Sequence, residues 1–142
     1  MSTGRICSRI IATVAPMENI RAAARRMADH RVGTLVAVEG DRPVGIVTDR
    51  DIALRVVAEG LDPDLTPVSA ILTTPLRSVH ESMPIQEALS LMASAGTRRI
   101  VVTGDHGELA GILSLDDVLD LLIEEADTIG RLLGKQQPAI GA

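Results

Sequence analysis

Two pairs of side chains in this 142-residue sequence have types and spacing that could do chemistry. Thr48 and Asp51 stand three residues apart, and Ser114 and Asp117 repeat that spacing. Each pair falls where a β-rich run gives way to a helical one. A carboxylate just past a strand end can accept charge-assisted hydrogen bonds from two adjacent hydroxyls, and such bonds are the stronger class. The neighbouring Thr or Ser can donate or accept beside it, and helix N-terminal N–H groups lie close to any anion held there. The same spacing also suits a capping box, in which hydroxyl and acid only satisfy the start of a helix. Asp is shorter than the usual Glu or Gln and fits that reciprocal bond less well. On the residues alone both uses stay open, and the cap is the simpler.

Other reactive types are sparse. Cys7 is the single cysteine, so no internal disulfide forms, which suits a reducing compartment and an inert thiol. His30, His80 and His106 lack metal-ligand spacing and read as surface or turn residues. The five Met residues read as core filling. Glycine-rich phosphate loops, Cys/His or Ser/His arrangements and metal clusters are missing from the sequence, so neither an enzyme nor a metal site is expected. A net charge of −5 leaves no general basic face, so nucleic acid is not expected as a partner. No apolar run reaches the roughly 18 residues needed to cross a bilayer, and residues 1–9 lack a signal-peptide layout. The expectation is a soluble cytoplasmic protein without membrane attachment.

An internal repeat positions the two pairs. Thr13-Val14 followed by Ile20, Ala23, Ala24 and Met27 parallels Ser78-Val79 followed by Ile85, Ala88, Leu89 and Met92. Both sets have the i, i+3, i+4, i+7 spacing of one buried helical stripe. Ser82 is the expected N-cap of the second helix, with Pro84 in its first turn. Gly33-Thr34 is matched to Gly96-Thr97, and Gly45 to Ile52 is matched to Gly111 to Val118. Arg98-Arg99 then counts as an insertion in the second copy, with further extra residues in the turn at 104–107. Each copy reads strand, helix, strand, strand, helix, with hairpin strands at 35–38 and 44–47, and at 100–103 and 109–113. The closing helices are expected over 49–59 and from Leu115 onward. Thr66 is expected to cap a short helical turn. Val118, Leu119, Leu121, Leu122 and Ile123 make the last helix apolar over most of its circumference, which calls for a second covering surface. With 46% apolar residues but no Phe, Tyr or Trp, the core must be aliphatic. A planar ligand would lie between aliphatic side chains.

Gly45, Thr48 and Asp51, and again Gly111, Ser114 and Asp117, resemble the closing signature of CBS (cystathionine β-synthase) repeats. The upstream helix and hairpin fit as well, as does the lead-in at 68–75, so the resemblance spans residues 6–124. It implies a mixed α/β (α+β) fold of two β-α-β-β-α repeats packed about a pseudo-two-fold axis. Residues 6–60 form the first repeat, 61–74 a linker and lead-in, 75–124 the second repeat, and 125–142 the helix end and a tail. It further implies two clefts that accept an adenosine compound (AMP, ADP, ATP or S-adenosylmethionine), and a homodimer that regulates an effector protein. Thr48, Asp51, Ser114 and Asp117 would then hold ribose. Arg98, Arg99 and Arg50 would contact phosphate, the alternative for each being a solvated surface residue. Leu35 and Val36 are matched to Arg98 and Arg99 in the first copy, so the two clefts are expected to differ. The rival reading is a dimerisation or scaffold protein whose clefts are vestigial.

Overall fold

The computed structural model describes residues 1–136; the part of the expected tail at 137–142 lies outside the described residues. After a short helix α1 (Thr3–Ile6) the chain runs through β1 (Thr13–Val14), α2 (Ile20–His30), β2 (Thr34–Glu39), β3 (Arg42–Thr48) and α3 (Asp49–Ile52). The same order returns as β4 (Ser78–His80), α4 (Ile85–Ala95), β5 (Arg99–Thr103), β6 (Leu109–Ser114) and α5 (Leu115–Gln136). Each repeat forms a three-stranded sheet, β1-β2-β3 or β4-β5-β6. The first two strands of each are parallel, joined across a helix, and the last two make an antiparallel hairpin.

Strand register corrects the alignment of the repeats. Thr34 pairs with Thr48 and Arg99 pairs with Ser114, so Arg98-Arg99 corresponds to Gly33-Thr34, not to Leu35-Val36. Both crossover helices have eleven residues and end in a left-handed cap, at Arg31 and at Gly96. Gly96-Thr97 therefore matches Arg31-Val32, and nothing is inserted at Arg98. The additional residue of the second copy lies in its hairpin turn. Gly33 and Gly96 look equivalent in sequence, whereas the helix ends show Arg31 standing where the second repeat has Gly96.

Two aliphatic cores follow from the helical stripes. Ile20, Ala23 and Met27 pack with Val14, Leu35, Ala37 and Val47 in the first; Ala88 and Met92 pack with Val79, Ile100, Val102, Leu113 and Val118 in the second. The lead-in segments cross over. Ile6 and Cys7 pack in the second core, while Val68, Ile71 and Leu72 pack in the first. Ser8 bridges Ile112 on β6, and Thr73 bridges Ile46 on β3. These contacts are reciprocal, as a pseudo-two-fold arrangement requires. Space is tight there: a Cβ on Gly111 would lie 2.5 Å from Cys7 Sγ.

Local details differ from expectation in three places. Asn19 caps α2 through the Ala22 N–H, but Pro84 precedes α4 without a side-chain cap, because the Ser82 hydroxyl is bonded to His80. Thr66 makes no cap; Pro67 leads directly into a 3-10 turn at Val68–Ala70. The first closing helix widens into a π turn at Ala53–Val57 and stops before Glu59, because Gly60 turns left-handed (φ 69°) and the Leu61 N–H closes on the Val56 carbonyl. The turn buries Val56 in the first core and lets the Arg55 guanidinium donate to the Ile71 carbonyl. Among the described residues, no helix is long and apolar enough to cross a membrane.

Entry into α2 is fixed by charge. Arg26 donates two hydrogen bonds to the Glu18 carboxylate, at 2.6 and 2.8 Å, and a third to the Thr13 carbonyl of β1. The Arg26 bonds hold the Glu18 carboxyl well below the usual range, at about 2, despite partial burial. Folding therefore favours the ionised acid. Its contribution is complete above about pH 4.5 and is lost as pH falls through the folded value. Glu18→Gln is expected to lower the melting temperature at pH 7, and the gap from the parent chain should close as the pH approaches 2. Melting curves at several pH values check this; a gap that stays constant with pH would contradict it.

Candidate functional site

In the first repeat the hydroxyl–acid pair is occupied by its own backbone. Asp51 N–H donates to Thr48 Oγ1 (3.1 Å), and Thr48 N–H donates to Asp51 Oδ2 (2.9 Å), closing a full capping box. The remaining oxygen, Oδ1, lies 3.8 Å from Arg55 Nε, and the Asp51 side chain is only 16% exposed. Arg50 is exposed, and its backbone N–H donates to Asp49 Oδ1.

The second repeat leaves the box half made. Asp117 N–H donates to Ser114 Oγ (3.1 Å), but the return bond from carboxylate to backbone is missing. The Asp117 carboxylate has no hydrogen-bond or ion-pair partner among the described residues. Ser114 and Asp117 line a cleft of about 300 Å³ between the repeats, together with Arg31, Thr34 and Arg99. Its apolar wall comes from residues 10–12, Val36 and Ile112. Thr34 Oγ1 is buried there with no hydrogen-bond partner among the described residues. A buried hydroxyl left unpaired costs about 1–3 kcal/mol, so a polar group entering the cleft would be welcome to it.

Arg98 and Arg99 separate. Arg99 faces this cleft, whereas Arg98 points to solvent and pairs with Asp116 at 3.4 Å. That ion pair is 71% and 68% exposed and is worth little. In its place the fold supplies Arg31, which closes the end of α2 in the left-handed region at φ 54°. Gly96 does the same job in the second repeat at φ 65°. A side chain in this conformation costs about 1–2 kcal/mol that glycine avoids. Matching the ends of the two helices by length would have exposed this arginine; matching glycines hid it.

A second, smaller cleft of about 160 Å³ lies at the pseudo-symmetric place. It is lined by Ile46 and Thr73 on one side and by Thr97, Arg99 and Arg77 on the other. The clefts differ in their linings, though not in the arginine content that the sequence suggests. Arginine reaches both, and Thr48 and Asp51 do not line the smaller one.

His80 lies between Ser82 Oγ (2.7 Å) and Asp105 (2.8 Å), an order known from acyl-transfer enzymes. The neighbouring amides are committed, Ser82 to the His80 ring, Glu81 to Thr103 and Met83 to His80, so none is free to stabilise an oxyanion. This cluster pins the turn after β4 to the hairpin. Cys7 is buried, and burial raises its pKa, which keeps it a protonated, unreactive thiol.

Comparison with known proteins agrees with this fold. The family model described as "CBS domain" matches residues 4–58 and 68–124. The CBS domain-containing protein YhcV of Bacillus subtilis is 42% identical over 108 residues, 76% of each chain. Hypoxic response protein 1 of Mycobacterium tuberculosis is 34% identical over 128 residues, 89% of each. The uncharacterized protein MK0525 of Methanopyrus kandleri is 36% identical over 122 residues, and the match spans only 62% of that longer chain. Among solved structures, the CBS domain protein PAE2072 of Pyrobaculum aerophilum, complexed with AMP, superposes with a TM-score of 0.77 at 33% identity, covering 89% of this chain and 99% of that one. Hypoxic Response Protein I with two coordinated zinc ions gives a TM-score of 0.76 at 30% identity, covering 84% and 98%. Among the described residues of this chain, no group of three His, Cys, Asp or Glu side chains gathers as a metal site would. With two matched domains on two sheets of identical topology, the chain belongs to the CBS-domain family.

Proposed function

We propose that this chain is a regulatory module, not an enzyme, that senses an adenosine nucleotide in the cleft of Ser114 and Asp117. One observation carries the reading: a carboxylate at a helix start, free of partners among the described residues, faces a cleft that also holds two guanidinium groups. Asp117 accepts the two ribose hydroxyls, with Ser114 beside it. Arg31, Arg99 and the unpaired Thr34 hydroxyl take the phosphate. The base lies against the aliphatic wall of residues 10–12, Val36 and Ile112. Adenine is the base supported by the AMP complex of the Pyrobaculum relative. Two arginines favour a phosphate-bearing ligand over S-adenosylmethionine, whose sulfonium is positive.

The scaffold reading has its own support in the first repeat, where Asp51 is spent on the capping box and Arg55. In this account the Asp51 signature is structural and the Asp117 signature binds. Asp117 stands in the first turn of α5, so ligand contact bears directly on the setting of that helix. A ligand shifts such a setting only through different affinity for its two arrangements. The effector protein would read that shift.

AMP is expected to raise the melting temperature, by about 2.7 kcal/mol of stabilisation at a hundredfold excess over Kd. Asp117→Ala should abolish the shift while leaving the fold nearly as stable. Asp51→Ala should instead cost about 0.5–2 kcal/mol as a lost cap while keeping the shift. Melting curves with and without AMP separate these outcomes, and a shift that depends on Asp51 and not on Asp117 would sink the assignment.

Arg31 gives an opposed pair of effects. Arg31→Gly should stabilise the fold by about 0.5–1 kcal/mol through relief of the left-handed backbone. The same change should weaken AMP roughly tenfold, one lost charge-assisted contact, and leave adenosine unchanged. Denaturant titration and calorimetry test the two halves; equal loss for AMP and adenosine would place Arg31 outside the phosphate site.

A further inference from the structure

Arg99 lines both clefts, and strand register says from which of them it starts. It pairs with Ser114 as Thr34 pairs with Thr48, so Arg99 on β5 is the counterpart of Thr34 on β2. Thr34 lines the larger cleft and not the smaller, whereas Arg99 lines the smaller and also reaches the larger. The backbone beneath it is fixed, because Thr97 Oγ1 donates to the Arg99 carbonyl at 2.9 Å. Its guanidinium is exposed and has no hydrogen-bond or ion-pair partner among the described residues. Arg77, which also lines the smaller cleft, is likewise exposed and without such a partner among them. The Thr73 hydroxyl adds a donor, and no acidic side chain lines this cleft.

We infer that the smaller cleft holds a small oxyanion of the phosphate type on Arg77 and Arg99, and that its occupancy opposes nucleotide in the larger cleft because both need Arg99. The opposition rests on the nucleotide reading proposed above; the oxyanion site does not. Size and charge select the occupant. The cleft measures about 160 Å³, and sites for drug-sized ligands begin at roughly 300 Å³. A base with its sugar is too large, whereas a tetrahedral anion fits and matches the forked donors of guanidinium groups. One such fork grips one oxyanion at a time, and two phosphates held on it would repel each other. An anion in the smaller cleft therefore draws Arg99 away from the larger one, where Arg31 remains. Nucleotide affinity falls to a floor set by Arg31, not to zero. By linkage, nucleotide weakens the anion by the same factor.

Calorimetric titration of the full chain is the test, with inorganic phosphate alone and with AMP at rising phosphate, chloride holding the ionic strength constant. Phosphate should bind the parent chain and Asp117→Ala alike, since Asp117 does not line the smaller cleft. Arg77→Ala should weaken phosphate roughly tenfold or more. Phosphate should raise the Kd for AMP roughly tenfold and then level off. Arg77→Ala should keep the affinity for AMP and lose most of that response, whereas Arg99→Ala should weaken both ligands and abolish it. Glycerol 3-phosphate in place of phosphate tells a phosphoryl end group, if it binds more tightly, from the free ion, if it binds more weakly. A Kd for AMP that climbs without limit, in Arg77→Ala as in the parent, means competition for one site and overturns the inference. Phosphate that fails to bind Asp117→Ala, or binds Arg77→Ala as tightly as the parent, overturns the oxyanion site. A Kd for AMP unmoved by bound phosphate overturns the shared role of Arg99. AMP that fails to bind the parent chain overturns the nucleotide reading and the opposition with it, while the phosphate titrations still decide the smaller cleft.

Discussion

The exchange of lead-in segments between the two repeats is the constraint on which the rest of this molecule depends. The start of the first repeat packs Ile6 and Cys7 into the second core, and the linker and lead-in bury Val68 and Ile71 in the first. Neither three-stranded sheet therefore has a complete core without chain from the other half. The same exchange makes the clefts. Once Ser8 bridges Ile112, the next residues, 10–12, must pass over the mouth of the Ser114 and Asp117 site. Once Thr73 bridges Ile46, Pro75 and Leu76 pass over the other. The two clefts are thus a by-product of how the cores are closed.

From this common frame the halves diverge through a few bonds. The first signature closes its capping box completely and adds Arg55, which leaves no easy acceptor for a ligand. The second makes one of the two capping bonds, so its carboxylate remains free at the start of the longest helix. Thr34, with its buried hydroxyl, and left-handed Arg31 line the same cleft as that carboxylate. An unpaired hydroxyl and a strained arginine each cost stability. Their meeting at one cleft is the feature on which the proposed nucleotide site rests.

Much of this was legible in the sequence. Helical stripes at Ile20, Ala23 and Met27, the hairpins, and the signatures at Asp51 and Asp117 predict the elements and their order, because period and turn chemistry are local. What failed was long-range. Gly33 and Gly96 look alike in sequence, yet strand register makes Gly33 the counterpart of Arg98, and only the backbone at Arg31 reveals the arginine that shares a cleft with Asp117. Ser82 looks like a cap, but His80 competes for its hydroxyl across a turn. The difference between Asp51 and Asp117 was likewise invisible, since both belong to the same short motif. Only the geometry of each helix start decides whether the acid turns back to its own backbone.

The most direct measurement is a crystal structure of the chain grown with AMP. One nucleotide per chain is expected, with both ribose hydroxyls within hydrogen-bonding distance of Asp117, phosphate between Arg31 and Arg99, and the capping box at Thr48 and Asp51 intact. A nucleotide whose ribose rests on Asp51, two clefts filled alike, or two clefts that stay empty at saturating AMP would contradict it.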